Sequence, residues 1–154
     1  MVTLSRALRR NSGRLLLTAA GLATIVGPLS ADWNTSHIFN ERWPSHARFH
    51  GVVGLCTPVA LTLYGLWHLW TSSGQRPLAT ATATAIPLAY WGSFFAAMLV
   101  KGTGLDDPPH AVGRIAGMPA NVFWATTTTA MALAGCLLDR RGRCAEPSRA
   151  SSRR

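Results

Sequence analysis

Charge is scarce in this 154-residue chain and is missing from long stretches of it. Asp, Glu, Lys and Arg make up 14% of the residues, against about 25% in an ordinary soluble domain. None of them occurs in residues 15–31, 51–73, 77–100 or 115–138. Each stretch is near or above the roughly 18 residues that mark a membrane-span candidate. A soluble four-helix bundle needs a polar face recurring every ~3.6 residues, and residues 15–27 and 51–60 carry no charged face of that kind. Close cysteine pairs are lacking too. Cys56, Cys136 and Cys144 form no C-x-x-C, which argues against a membrane thiol oxidoreductase, since exchange needs two neighbouring thiols. Buried or inert thiols are the expected state of the three.

The charge that is present is mostly positive, +9 in all. Its distribution argues against the obvious inference of a nucleic-acid partner. Arg6, Arg9, Arg10 and Arg14 precede the first apolar run, Arg76 separates the second from the third, and Arg140, Arg141, Arg143, Arg149, Arg153 and Arg154 follow the fourth. Arg42, Arg48, Lys101 and Arg114, in the other two connectors, are offset by Asp32, Glu41, Asp106 and Asp107. That is a positive-inside pattern with both termini cytoplasmic, with some attraction to anionic lipid. No aromatic–basic recognition motif accompanies it.

The expected fold is therefore all-α, an integral membrane four-helix bundle. A basic tail occupies residues 1–13, the transmembrane domain residues 14–138, and a basic disordered tail residues 139–154. The spans fall at about 14–31, 44–71, 78–100 and 118–138. A cleaved leader is disfavoured, because cleavage after Ala31 or Ser30 would set Leu29 or Pro28 where a small residue is wanted. Pro44 suits the first turn of the second helix, with Asn40 or Ser45 as its cap. "ATATATA" and "ATTTTAMALAG" supply small residues for close helix contact in lipid, and their threonine hydroxyls can bond back to their own helix.

What is crowded is the first connector, "DWNTSHIFNERWPSHARFH" from Asp32 to His50. Topology places it on the same, non-cytoplasmic face as "GLDDPPH", residues 104–110. Ionisable groups held near a membrane are functional candidates. A carboxylate beside a histidine can abstract or deliver a proton. Asp32, His37, His46, His50, Asp107 and His110 are the candidate acid–base residues. Asn34 and Asn40 are placed to orient a substrate oxygen or to cap turns. Arg48 is placed to hold a carboxylate or to offset Asp32 or Glu41. Trp33 and Trp43 either line a pocket or join the aromatic belt at the interface. Asp-Asp-Pro-Pro is in its own right a good turn former.

His46 and His50, spaced i, i+4, share a helix face. With Asp106, Asp107 or His110 as third ligand they are the alternative metal site, although H-E-x-x-H is missing. No metal or other cofactor is the primary expectation. Haem is disfavoured because His68 lies 18 residues from His50, about 27 Å along a helix. His68, between Trp67 and Trp70, suits an interfacial snorkelling role.

At the first connector the chain resembles a family of small four-span membrane proteins found in bacteria and fungi. The pattern is D-W-N-x-[ST]-H-[IL]-[FY]-N-x-x-W-P-x-H-A-[RK]-[FL]-H, matched here from Asp32 to His50. The later D-D-P-P-H, Asp106 to His110, is similar as well. The resemblance implies the four-span fold and a tailoring role in natural-product biosynthesis. The expected function is then a membrane-embedded acid–base enzyme, of isomerase, cyclase or epoxide hydrolase type, acting on a hydrophobic small molecule in a bacterial cell membrane. The alternative is a non-catalytic membrane module binding a lipid, a pigment or a partner protein. Transport ranks third, because the spans lack deep ionisable groups.

Overall fold

The computed structural model describes residues 2–107 and 109–144, with the side chains of residues 2–10 and of Ser73 excepted. The side chains of Arg6, Arg9 and Arg10, the tail from 145 onward with Arg149, Arg153 and Arg154, and the first proline of Asp-Asp-Pro-Pro lie outside the described residues. Four helices make up the described chain. These are α1 (Val2–Asp32), α2 (Ser45–Thr71), α3 (Arg76–Ala97) and α4 (Ala120–Cys144). A single 3₁₀ turn, Ser73–Gln75, joins α2 to α3. Two two-residue strands, β1 (Arg114–Ile115) and β2 (Met118–Pro119), pair antiparallel just before α4. Helix α1 packs most extensively on α4, and α3 sits against α2 and α4.

Three of the helices are long and apolar enough to cross a membrane: Asn11–Asp32 within α1, Ser45–Thr71 and Ala120–Cys144. Their side chains are arranged inside out relative to a soluble bundle. Beside Leu17, Leu55, Leu69 and Trp91, most buried helix positions hold small or hydroxylated residues, among them Ala20, Thr24, Thr62, Ala79, Thr80, Ala83, Thr84, Ala125, Thr128 and Ala132. Large aliphatics such as Leu22, Val26, Leu61, Leu63, Leu133 and Leu137 face outward, each between 48% and 56% exposed. Water gives no reason to put leucine outside and alanine inside; lipid does, because packing rather than apolar burial holds helices together there. Two of these threonines return their hydroxyls to their own helix. Thr24 donates to the Ala20 carbonyl at 2.9 Å and Thr84 to that of Thr80 at 2.7 Å.

Close approach is possible because glycine stands at two crossing points. A Cβ at Gly13 would land on the backbone of Asp139, and one at Gly27 would overlap the Trp124 indole. The Trp124 Nε1–H instead donates to the Ala23 carbonyl at 2.9 Å, tying α4 to α1. On the other side of α1, the Trp91 indole of α3 donates to Thr24 Oγ1 at 3.2 Å.

The helices differ from the expected spans at both ends of the chain. Helix α1 is continuous from Val2, so the segment expected as a basic tail is helical and precedes the apolar span Asn11–Asp32. Helix α4 runs on to Cys144, and Asp139 to Cys144 are helical rather than a disordered tail. The reason for the second difference lies in Asp139, whose carboxylate is fully buried. Its Oδ1 accepts from Arg76 Nη2 at 2.7 Å and Nε at 3.2 Å. Its Oδ2 accepts from Thr80 Oγ1 at 2.6 Å and from Arg143, one helical turn further on. Arg143 Nη1 also reaches Thr80 Oγ1 at 3.2 Å. From α1, Arg14 donates to the Leu69 carbonyl of α2 and lies 4.3 Å above the Trp70 ring. Ion pairs thus join α3 to α4, and Arg14 joins α1 to α2, at the end of the bundle opposite the long connectors.

The start of α2 also departs from expectation. Pro44 is the cap residue and makes no side-chain cap bond. Neither Asn40 nor Ser45 fills that role, because the Asn40 side chain is engaged elsewhere.

Removing one member of a buried ion pair leaves the other charged groups uncompensated and costs about 3–5 kcal/mol. Asp139→Ala is expected to lower the thermal unfolding midpoint in detergent markedly. Arg140→Ala, at an exposed neighbouring position, is expected to leave it nearly unchanged.

Candidate functional site

At the other end of the bundle the first connector folds back on itself at once. The amide of Ile38 donates to the Asp32 carbonyl at 3.1 Å, and that of Phe39 to the Asn34 carbonyl at 2.9 Å. Asn34 makes an Asx turn, its Oδ1 accepting the Ser36 amide at 2.8 Å. Ile38, only 2% exposed, is the apolar anchor of the segment. These local bonds leave Asp32 at the last turn of α1 and set His37 beside it, with Nε2 at 3.8 Å from Asp32 Oδ1.

The second connector is shaped by carboxylates and by backbone pairing. The Asp106 Oδ1 accepts the Val112 amide at 2.8 Å. Asp107 and His110 exchange backbone bonds, at 3.2 Å and 2.8 Å. The Asp107 carboxylate then reaches across to the first connector. Its Oδ2 lies 3.2 Å from Trp43 Nε1 and 3.4 Å from Asn40 Nδ2, both donors. Asn40 is buried, and its own carbonyl accepts from Arg48 Nη2 at 3.0 Å. Residues more than sixty positions apart in sequence are thereby clamped together.

Beneath the clamp lies a cavity of about 430 Å³, within the usual size of small-molecule sites. Asp32, Ser36 and His37 line it from the first connector, and Asp107 and His110 from the second. Tyr90, Trp91 and Phe94 from α3 and Trp124 from α4 give it an aromatic wall on the helix side. The polar groups of the two connectors thus share one chamber with an apolar wall built by the helices.

Of the six candidate acid–base residues, the structure brings Asp32, His37, Asp107 and His110 to the cavity. His46 and His50 are not among the residues lining it. They are exposed on the first turns of α2, with their Nε2 atoms 3.1 Å apart. They share a helix face, but the expected third ligand from Asp106, Asp107 or His110 does not join them. Among the described residues no group of three His, Cys, Asp or Glu side chains is arranged to hold a metal ion.

The candidate substrate-binding residues stand elsewhere. Trp33 is half exposed and packs edge-on against Phe39 at 5.4 Å. Trp43 and Asn40 hold Asp107, Asn34 shapes the connector, and Arg48 holds the Asn40 backbone rather than a carboxylate. Sequence reasoning did not single out Tyr90, Ser36 or Asn121, all of which line the cavity. The spacing Tyr90-Trp91-x-x-Phe94, which puts Tyr90 and Phe94 one helical turn apart, was the available signal for the wall.

The fold and the site together define an all-helical protein whose three longest apolar helices are compatible with a multi-pass membrane protein, with a polar cavity at one end of the bundle. The chain belongs to the family described as Family of unknown function (DUF6640), which matches residues 16–149. That match takes in both connectors, α2 to α4, and α1 from residue 16 onward. The chain matches no curated protein and no solved structure.

Because Asp107 joins the connectors, Asp107→Ala is expected to strand the Trp43 and Asn40 donors. The cost is about 1–3 kcal/mol. Faster amide hydrogen exchange through residues 33–44 and 101–113 than in the native chain is the measurement that checks it.

Proposed function

We propose that this protein is a four-span membrane enzyme that uses acid–base chemistry on a hydrophobic small molecule, at the cavity beneath the two connectors. In this reading α3 is the fourth span and both termini face the cytoplasm, which places the cavity at the non-cytoplasmic rim. The positive-inside pattern supports that orientation. The packing of α3 between α2 and α4 supports its crossing with them.

The observation that carries the reading is the division of labour around the cavity. Asp107 has its Oδ2 occupied by two donors and acts as a strut. Asp32 and His37 face each other at 3.8 Å, beyond a full hydrogen bond, and both line the chamber. The pair is the one suited to move a proton. His37 Nε2, or the Asp32 carboxyl when protonated, would deliver a proton to an alkene carbon, a carbonyl or an epoxide oxygen. His110 on the second connector would remove a proton or guide water. The aromatic wall would hold the apolar body of the substrate, and the small Ala31 of α1 lines the same chamber. Isomerisation, cyclisation and epoxide opening all fit this chemistry, as does the natural-product role that the connector resemblance implies.

A non-catalytic module is the second reading, favoured by the Asp107 clamp, which makes the connectors a rigid lid. The two readings separate by experiment. General acid–base groups contribute about 10²–10⁴-fold to rate. Cells producing Asp32→Asn or His37→Gln are expected to lose at least about a hundredfold of whatever product distinguishes producing from non-producing cells in extracts profiled by mass spectrometry. His46→Gln and His50→Gln are expected to retain it, and the unfolding midpoints of all four variants are expected to stay close to that of the native chain. Parallel loss of stability in Asp32→Asn and His37→Gln, with no product affected, would favour the binding module.

A further inference from the structure

Hydrogen-bond directions around His37 decide which of its nitrogens can exchange a proton. Asn34 Nδ2 donates to the Ala31 carbonyl at 2.6 Å, while Asn34 Oδ1 accepts the Ser36 amide at 2.8 Å. Turning the amide over would set oxygen against oxygen at Ala31 and N–H against N–H at Ser36, so its orientation is determined. The Ser36 hydroxyl lies 2.6 Å from the same Oδ1. Two oxygens at that distance need a proton between them, and the amide oxygen has none to give. The hydroxyl therefore donates to Asn34. Its oxygen, 2.8 Å from His37 Nδ1, is left as an acceptor, and Nδ1 must carry the hydrogen.

We propose that Asn34 and Ser36 are positioning residues that hold a proton permanently on His37 Nδ1, leaving Nε2, beside Asp32 and the cavity, as the only nitrogen through which the ring gains or loses one. The proposal rests on the acid–base reading of the cavity but makes a claim about the ring that can be checked without any substrate. With Nε2 protonated and Asp32 ionised, the hydrogen bonds run in one direction from His37 Nδ1 through Ser36 to Asn34, and Nε2–H faces the Asp32 carboxylate at 3.8 Å. When that proton passes to a substrate atom, it leaves Nε2 with its lone pair, and Nδ1–H stays bonded to Ser36. Return of one proton from water or product to Nε2 restores the pair. Besides Asp32, the titratable groups lining the chamber are Tyr90 on α3 and Asp107 and His110 on the second connector. The short contact at Nδ1 is that of Ser36, and Trp43 packs edge-on to the ring at 5.9 Å.

The test is nitrogen-15 NMR of the full chain in lipid nanodiscs, with labelled histidine and His37 assigned through a His37→Gln spectrum. As pH is raised, the native His37 is expected to lose its proton from Nε2 and to keep Nδ1–H. In Ser36→Ala the neutral ring is expected to move toward Nε2–H, and Ser36→Thr, which restores a hydroxyl, is expected to return it. Loss of the proton from Nδ1 in the native chain would overturn the proposal, as would a tautomer that is the same in Ser36→Ala. Either result would leave the acid–base reading standing, since that is decided by product formation in Asp32→Asn and His37→Gln.

Discussion

One carboxylate organises the end of the bundle where the connectors are short. Asp139 sits with no solvent access between Arg76 and Arg143, and Thr80 donates to it from α3. An ion taken out of water is stable only when its lone pairs are met by well-placed donors. The donors here come from α3 and from the next turn of α4, so α3 and α4 must keep their register for the charge to be tolerated. Helix α1 is held in the same place by the crossing at Gly13, which leaves no room for a side chain over the Asp139 backbone. The remainder of the bundle inherits its alignment from this point. That includes the Trp124 and Trp91 bonds to α1 further along, and through them the walls of the cavity.

Between the two ends the helices meet through alanine, glycine and threonine, and they turn their larger aliphatics outward. Small buried residues bring backbones close, and hydroxyls that bond to their own helix let polar residues sit in the core without a partner from another helix. The arrangement brings helix backbones close together. Room for a ligand opens where the connectors roof the helices beside the aromatic residues of α3.

The roof is itself a polar structure of two kinds. Asp107, Asn40, Trp43 and Arg48 bond to each other or to backbone and serve to join segments distant in sequence. Asn34, Ser36, His37 and Asp32 form a directional chain that ends at the cavity. The same residue types therefore do different work, and the difference is in how many of their atoms are already occupied. Asp107 accepts two donors, whereas Asp32 has a histidine at 3.8 Å.

The four apolar runs and the crowding of ionisable groups at Asp32–His50 were legible in the amino-acid sequence, because apolar length and charge distribution are local properties summed along a chain. So was the pairing of that segment with "GLDDPPH", since four successive helices bring alternate connectors to one end. Partition among the candidates was not legible. His46 and His50 have the spacing of a ligand pair, yet helical phase turns them outward, while His37 is turned inward by an Asx turn. Asp139 looked like the first residue of a tail, because its neutralising partner Arg76 lies 63 positions away. Tyr90 gave no sign of joining Asp32 and His110 at one surface. Which groups meet, and which of their atoms remain free, depends on crossing points such as Gly13 and Gly27 and on bonds between distant segments. Those are decided by tertiary structure, because a hydrogen bond's direction and a charge's burial are set by neighbours in space and not by neighbours in the chain.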